Sequence, residues 1–213
     1  MNLRDFLHTA KNIIATYLKT DDKWETITNG KWNYDNQEGF VGGKWILPNQ
    51  SGGYHGLLRQ WWDNEEVANA DVLLVSENNL VKKHFQIAYP SWKFTTLDLY
   101  NNMSEEVDLK KNLCEPWVEY SKYDKIIVQA TFEHLYDPVM ALKNLSRSLQ
   151  EGGEMYIHTH VPGFQYHQFP RDYLRFYPDW FVDSQEFVGK LQLKEMYINK
   201  GHIFVLFKQQ EEG

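Results

Sequence analysis

The amino-acid sequence predicts an α/β domain around a mostly parallel sheet, on three observations. Short apolar runs at Asp71–Val75 (DVLLV), Lys125–Ala130 (KIIVQA) and Glu154–Thr159 (EMYIHT) read as strands buried on both faces. Helical patterns separate them, so each step from strand to strand requires a right-handed crossover. A last pair, Leu193–Ile198 and His202–Phe207, flanks Asn199-Lys200-Gly201, a hairpin signal that adds one antiparallel strand.

Taken in order, residues 2–19 place Leu3, Phe6, Leu7, Ala10, Ile13, Ile14, Tyr17 and Leu18 on one helical stripe, a packing helix. From Thr20 to Gly56 the periodicity dissolves. Seven of the 13 glycines fall between Gly30 and Gly56, interleaved with Trp24, Trp32, Trp45 and Tyr54. Such a stretch is either a lid over a ligand or an irregular wrap on the core. The division falls at residues 1–60 for helix and lid or wrap, and 61–213 for the α/β domain. After the 71–75 strand comes a helix around Leu80–Ala88, then a strand over Lys93–Leu97 closing on Asp98. Val107–Leu109 is a short edge strand. Asp137 is the N-cap of a helix with Pro138 at its first position, Val139, Leu142, Leu145 and Leu149 on one face, and Gly152 as its stop.

At 213 residues the chain has room for one full-sized core plus an extension. Its net charge of −7 opposes binding to phosphate backbones, which argues against a nucleic-acid partner. A single cysteine, Cys114, excludes an intrachain disulfide and a thiolate metal cluster. MNLRDFLHTAKN lacks a signal-peptide core and no apolar run is long enough to span a bilayer, so no membrane partner and a cytoplasmic setting are expected.

The run YDKIIVQATFEHLYDPVMALKNLSRSLQEGG (residues 123–153) resembles the strand-turn-helix unit of class I S-adenosylmethionine-dependent methyltransferases, FDxVxxxxxLEHxxDPxxxLxxxxxxLxPGG. HQFPRDYLRFYP (167–178) resembles the His-x-x-Pro-x-Asp-Tyr-x-Arg-Phe segment of several methyltransferase-like families. The likeness runs from about residue 70 to 208. It implies a Rossmann-like sheet of seven strands, the last antiparallel and inserted beside the fifth. It also implies S-adenosyl-L-methionine as cofactor and methyl transfer to a small polar molecule at oxygen or nitrogen, with the acceptor and the oligomeric state left open.

In an open parallel sheet ligands bind beyond the carboxyl ends of the strands, at the switch in strand order. The resemblance puts the family's ribose-binding acid at Asp98, with Leu99 beside it; a solvated strand-ending Asp is the plain alternative. Where the family has a Gly-x-Gly-x-Gly turn, this chain has Ser76-Glu77-Asn78-Asn79-Leu80. Asn78 and Asn79 can replace glycine by adopting left-handed angles. Val75-Ser76-Glu77 resembles an Ala-Pro-Glu turn of glycine-poor relatives, with Glu77 on the cofactor's ammonium. The missing glycines argue against a nicotinamide dehydrogenase and leave a second reading open, a catalytically degenerate methyltransferase-like binding or assembly module. Asp108 is the candidate adenine contact, and Ala130, Thr131 and Glu133 line the cofactor after the fourth strand.

His134 is either a base facing the methyl-transfer cavity or a turn cap; His160 and His167 are further candidate bases. Tyr54 and His55, with Arg171, Asp172, Tyr173 and Arg175, are the candidate substrate contacts. The two arginines clamp an acidic substrate group, or Arg175 pairs with Asp172 and closes the loop. Phe164, Tyr166, Phe169, Tyr173, Phe176 and Trp180 line a pocket or belong to the core. His158 and His160 share one strand face and suit paired imidazole ligands, with Asp172 able to complete a triad for a metal-dependent hydrolase. That spacing also serves ordinary polar contacts, so no resident metal is expected.

Overall fold

The computed structural model describes residues 26–28, 31–33, 68–99, 106–117, 121–166, 171–199 and 201–210. The expected 2–19 helix and most of the glycine-aromatic stretch, Tyr54 and His55 included, lie outside the described residues, as does His167. Among the described residues the strands are β1 (Thr26–Thr28), β2 (Lys31–Asn33), β3 (Asp71–Val75), β4 (Lys93–Asp98), β5 (Leu109–Lys110), β6 (Tyr123–Gln129), β7 (Leu149–His160), β8 (Leu191–Asn199) and β9 (His202–Gln209). The helices are α1 (Asn79–Ala88), α2 (Pro138–Ser148) and α3 (Pro178–Val188), and a 3-10 turn covers Phe132–His134.

The strands form one sheet in the spatial order β2-β1-β8-β9-β7-β6-β3-β4-β5. β5, β4, β3, β6 and β7 run parallel. β9 is antiparallel to both β7 and β8, which makes β8 parallel to the rest. Six parallel strands and one inserted antiparallel strand therefore make up the expected seven-stranded sheet. The short hairpin β1–β2, from the stretch whose periodicity dissolves, extends that sheet through Ile27 opposite Met196.

Strand alternation sorts the core into two layers. Leu73, Val75, Ile126, Val128 and Ile157 pack with Leu142 and Leu145 of α2 and Phe181 of α3. Val72, Leu74, Ile127, Tyr156 and Phe204 face Phe85 of α1. Each buried leucine contributes about 1.5–3 kcal/mol, so the continuous apolar runs are what anchor both helix layers. Asp137 caps α2 as expected, its carboxylate accepting from the Met140 N–H at 2.9 Å, with Pro138 in the first turn.

The expectation for Gly152 does not hold. α2 stops at Ser148, and the Leu149 N–H returns to Leu145 and Ser146, so β7 begins with no intervening loop. Gly152 lies inside β7 with φ 72°, where pairing jumps from Tyr123–Leu149 to Lys125–Glu154. A Cβ on Gly153 would sit 2.9 Å from the Gln150 carbonyl and 3.0 Å from that of Asp124. The glycine pair makes a bulge in the strand instead of ending the helix. α3 follows a segment that reads as loop; Pro178 at its start and Gly189 after it were the available signals.

Candidate functional site

The chain runs from β3 out to β4 on one side and returns through β6 on the other, so the switch in strand order lies between β3 and β6. Both strands leave the sheet through a left-handed residue that is not glycine: Ser76 (φ 58°) after β3 and Ala130 (φ 44°) after β6. Each holds its position by one more ladder bond, the Ser76 N–H to Leu97 and the Ala130 N–H to His158. Such backbone costs on the order of 1–3 kcal/mol and collects at functional sites.

The asparagines do not take the glycine role. Asn78 is extended (φ −100°), and its side-chain oxygen accepts from Leu80 and Val81 at 3.0 and 3.1 Å, capping α1. Asn79 is already helical, and its side-chain Oδ1 accepts from the Thr96 hydroxyl. The unsatisfied N–H groups of the first turn draw Asn78 into capping, which shifts the sharp bend to Ser76.

That bend presents Glu77 to the switch point, where the Gln129 amide at the end of β6 donates to it at 3.2 Å. Burial, reinforced by the nearby charge of Asp98, pushes the Glu77 carboxyl up to about 7. Asp98 closes β4, half-buried, with Leu99 exposed at the rim. Asp108 is engaged elsewhere. Its Oδ2 takes the Lys82 ammonium at 2.7 Å, the Thr96 N–H at 2.8 Å and the Thr96 hydroxyl at 3.1 Å. Burial alone would raise this carboxyl, but those partners hold it below its usual value. Asp108 thereby ties α1 to β4.

A second group gathers at the ends of β6, β7 and β9. Glu133 is fully buried. One carboxylate oxygen accepts from the Thr159 hydroxyl at 2.6 Å and the other lies 2.7 Å from His160 Nδ1. Burial opposes its ionisation, yet the His160 and Thr159 hydrogen bonds hold its carboxyl below the ordinary value. Its carbonyl accepts from Tyr173 and Leu174, pinning the following loop. Both Glu133 oxygens are thus engaged with β7. Thr131 is also turned inward, its buried hydroxyl donating to the Gln129 carbonyl.

His134 Nδ1 meets the Arg171 carbonyl; a carbonyl only accepts, so this nitrogen carries the proton. The turn-anchoring alternative for His134 is the one the geometry displays. By the same logic His160 donates from Nδ1 to Glu133, leaving Nε2 as its basic nitrogen, under the stacked ring of Phe164. Nε2 of His158 and Nδ1 of His202 lie 3.0 Å apart. The segment from Arg171 to Tyr177 is not helical, so the two arginines share no helical face. Arg175 forks onto Asp172 and also donates to the carbonyls of Phe164, Leu174 and Gln165. The Asp172 hydrogen bond keeps its guanidinium charged and locks the loop internally, the pairing alternative for these two residues. Arg171 and Tyr173 stay exposed.

No protein-family model and no curated protein matches the sequence. Solved structures do match in shape. One is a chain of the complex between the Haloferax volcanii Trm112 methyltransferase activator and a methyltransferase, at TM-score 0.57 and 12% identity over 73% of this chain and 89% of that one. Another is an Aquifex aeolicus SAM-dependent methyltransferase, at 0.53 and 15% over 73% and 88%. A third is Haemonchus contortus phosphoethanolamine N-methyltransferase 2 in complex with S-adenosyl-L-methionine, at 0.55 and 10% over 76% of this chain and 54% of that one. The fold is that of the class I methyltransferases.

Within this methyltransferase fold the ends of β3, β4 and β6 carry Val75, Ser76, Glu77, Asp98 and Ala130 around the switch point. Sequence reading missed Gln129, which reaches Glu77 from the end of β6, and His202, which stands in register opposite His160. The signal for His202 was the hairpin itself: inserting its second strand beside β7 aligns the two histidines.

Proposed function

We propose that this chain is an S-adenosyl-L-methionine-dependent methyltransferase acting on a small polar molecule at oxygen or nitrogen, in the cytoplasm. The observation that carries the reading is the acid pair Glu77 and Asp98 at the switch point, with Glu77 raised to about 7 by burial and its neighbour's charge. A crevice of that kind favours a cation, and a carboxylate at the tip of β4 suits a ribose diol. Glu77 would hold the cofactor's ammonium and Asp98 its ribose, while Ser76 and Ala130 bring backbone close to it. When bound, the sulfonium supplies an activated methyl group, and the protein's part is to align the acceptor and exclude water. His160, oriented by Glu133, is the candidate base for an acceptor that must lose a proton. Among the described residues, Arg171 and Tyr173 are exposed candidates to meet the substrate. The net charge of −7 supports a small-molecule partner over nucleic acid. No helix among the described residues is long and apolar enough to cross a membrane.

One contact favours the rival reading of a non-catalytic methyltransferase-like module: the Gln129 amide already donates to Glu77 across the crevice. Calorimetric titration with S-adenosylhomocysteine decides between them. Binding by the wild-type chain, weakened in Glu77→Ala and in Asp98→Ala, supports the enzyme. A chain that releases no heat with the nucleoside at millimolar concentration is the module.

A further inference from the structure

We propose that His158, His160 and His202 form a binding site for one divalent first-row transition-metal ion. The backbone brings the three together. His158 and His160 alternate onto one face of β7, the face of Tyr156 and Phe204, and His202 pairs directly with His160 from β9. One ligand nitrogen from each lies within 4.8 Å of the others, and those of His158 and His202 are 3.0 Å apart. Nitrogens bound to a common tetrahedral ion at about 2.0–2.1 Å stand about 3.4 Å from one another, a value between the 3.0 Å and the 4.8 Å limit found here.

A second observation points the same way. Metal-bound histidines characteristically donate their other ring nitrogen to a carboxylate, which fixes the tautomer and the ring plane. His160 does this with the fully buried Glu133, itself oriented by the Thr159 hydroxyl. With Nδ1 so engaged, Nε2 is the nitrogen that His160 offers to the cluster. The Glu133 carboxylate also supplies negative charge beside a site whose ligands are neutral when they bind metal.

The donor set decides the class of ion. Three imidazoles suit zinc, cobalt, nickel or ferrous iron and disfavour magnesium and calcium, which take oxygen ligands. Phe164 stacks on His160 and Phe204 on His158, so the walls are aromatic and dry. The half-buried His202 marks the side of entry. Gly201 is part of the construction: at φ 86°, a Cβ there would lie 3.0 Å from the Phe164 ring, displacing the cover of His160. The proposal stands independently of methyl transfer, and an occupied site would remove His160 from the candidate bases, because its Nε2 would be coordinated.

The full-length chain, stripped with chelator and dialysed, is titrated with Co2+ while visible absorption and elemental content are followed. The expected result is one Co2+ per chain with the strong bands of four- or five-coordinate cobalt, displaced by Zn2+ and unaffected by Mg2+. His202→Gln, at the more accessible position, lowers affinity at least about tenfold, and Glu133→Gln lowers it about 10- to 100-fold by releasing the His160 ring. Circular dichroism checks that each variant is folded; should Glu133→Gln not fold, the wild type and His202→Gln decide alone. A wild-type chain that takes up no stoichiometric Co2+ overturns the proposal. So does uptake that His202→Gln leaves unchanged, since the metal would then sit on other histidines of the eight in the chain.

Discussion

At the ends of β3 and β4, burial and the charge of Asp98 oppose the ionisation of Glu77, whereas at the ends of β6 and β7 the single carboxylate of Glu133 is surrounded by donors. Both acids are largely withdrawn from water, yet burial wins at Glu77 and hydrogen bonding wins at Glu133. The difference separates a place that gains by meeting a cationic ligand from a place that the protein has already satisfied. A carboxylate that burial keeps from ionising gains by meeting a cation; one ringed by donors acts as framework.

Removing the satisfied acid tests this most strongly. Glu133→Ala leaves the His160 N–H and Thr159 hydroxyl without their acceptor, and urea denaturation should show a loss of about 3 kcal/mol. A loss below about 1 kcal/mol would place Glu133 on a par with surface carboxylates.

Glu77 should behave in the opposite sense. Its folded-state value near 7 lies above the ordinary 4.5, so folding takes up a proton between those values. Stability from this group is complete below about pH 4.5 and declines as pH rises through 7. Glu77→Gln therefore raises stability by on the order of 2 kcal/mol at about pH 8 and leaves it unchanged near pH 4, read from thermal melts of the ligand-free protein. Glu195, also raised to about 7 by burial and the charge of Glu154, adds a slope of the same sign that persists in the variant.

Asp98→Ala sharpens the comparison on the ligand side. Losing charge-assisted bonds to a diol should weaken S-adenosylhomocysteine binding by about 10- to 100-fold in calorimetry, with little change in the melting temperature. The smallest effect belongs to Lys82→Ala. Its ion pair with Asp108 is partly exposed and Thr96 still holds the carboxylate, so chemical denaturation should register about 0.5 kcal/mol.

The strands were legible because DVLLV and KIIVQA are apolar on both faces, and only a parallel strand covered by helices on each side uses such runs. Asp98 and Glu77 were legible as strand-end acids for the same reason: once a strand is located, so is its carboxyl end. The turn beside Glu77 was less so. Asparagine both tolerates left-handed angles and caps helices, and the position of the first free N–H groups settled which property Asn78 uses. Arg175 and Asp172 offered the same ambiguity, since a guanidinium fork fits a substrate carboxylate and a neighbouring aspartate equally well.

The linear sequence by itself determined the alternation of strands and helices, the α2 cap and the closing hairpin, because these depend on residues within one or two turns of each other. Tertiary structure alone decided which acids stay available and which histidines meet. His202 lies 42 residues from His160 in the chain and becomes its neighbour through the register of an inserted antiparallel strand. Glu133 turns inward because Thr159 and His160 on the adjacent strand present donors at the level of its carboxylate. Such partnerships are set by the relative heights of strands in a sheet, and a one-residue change of register would move each side chain to the opposite face.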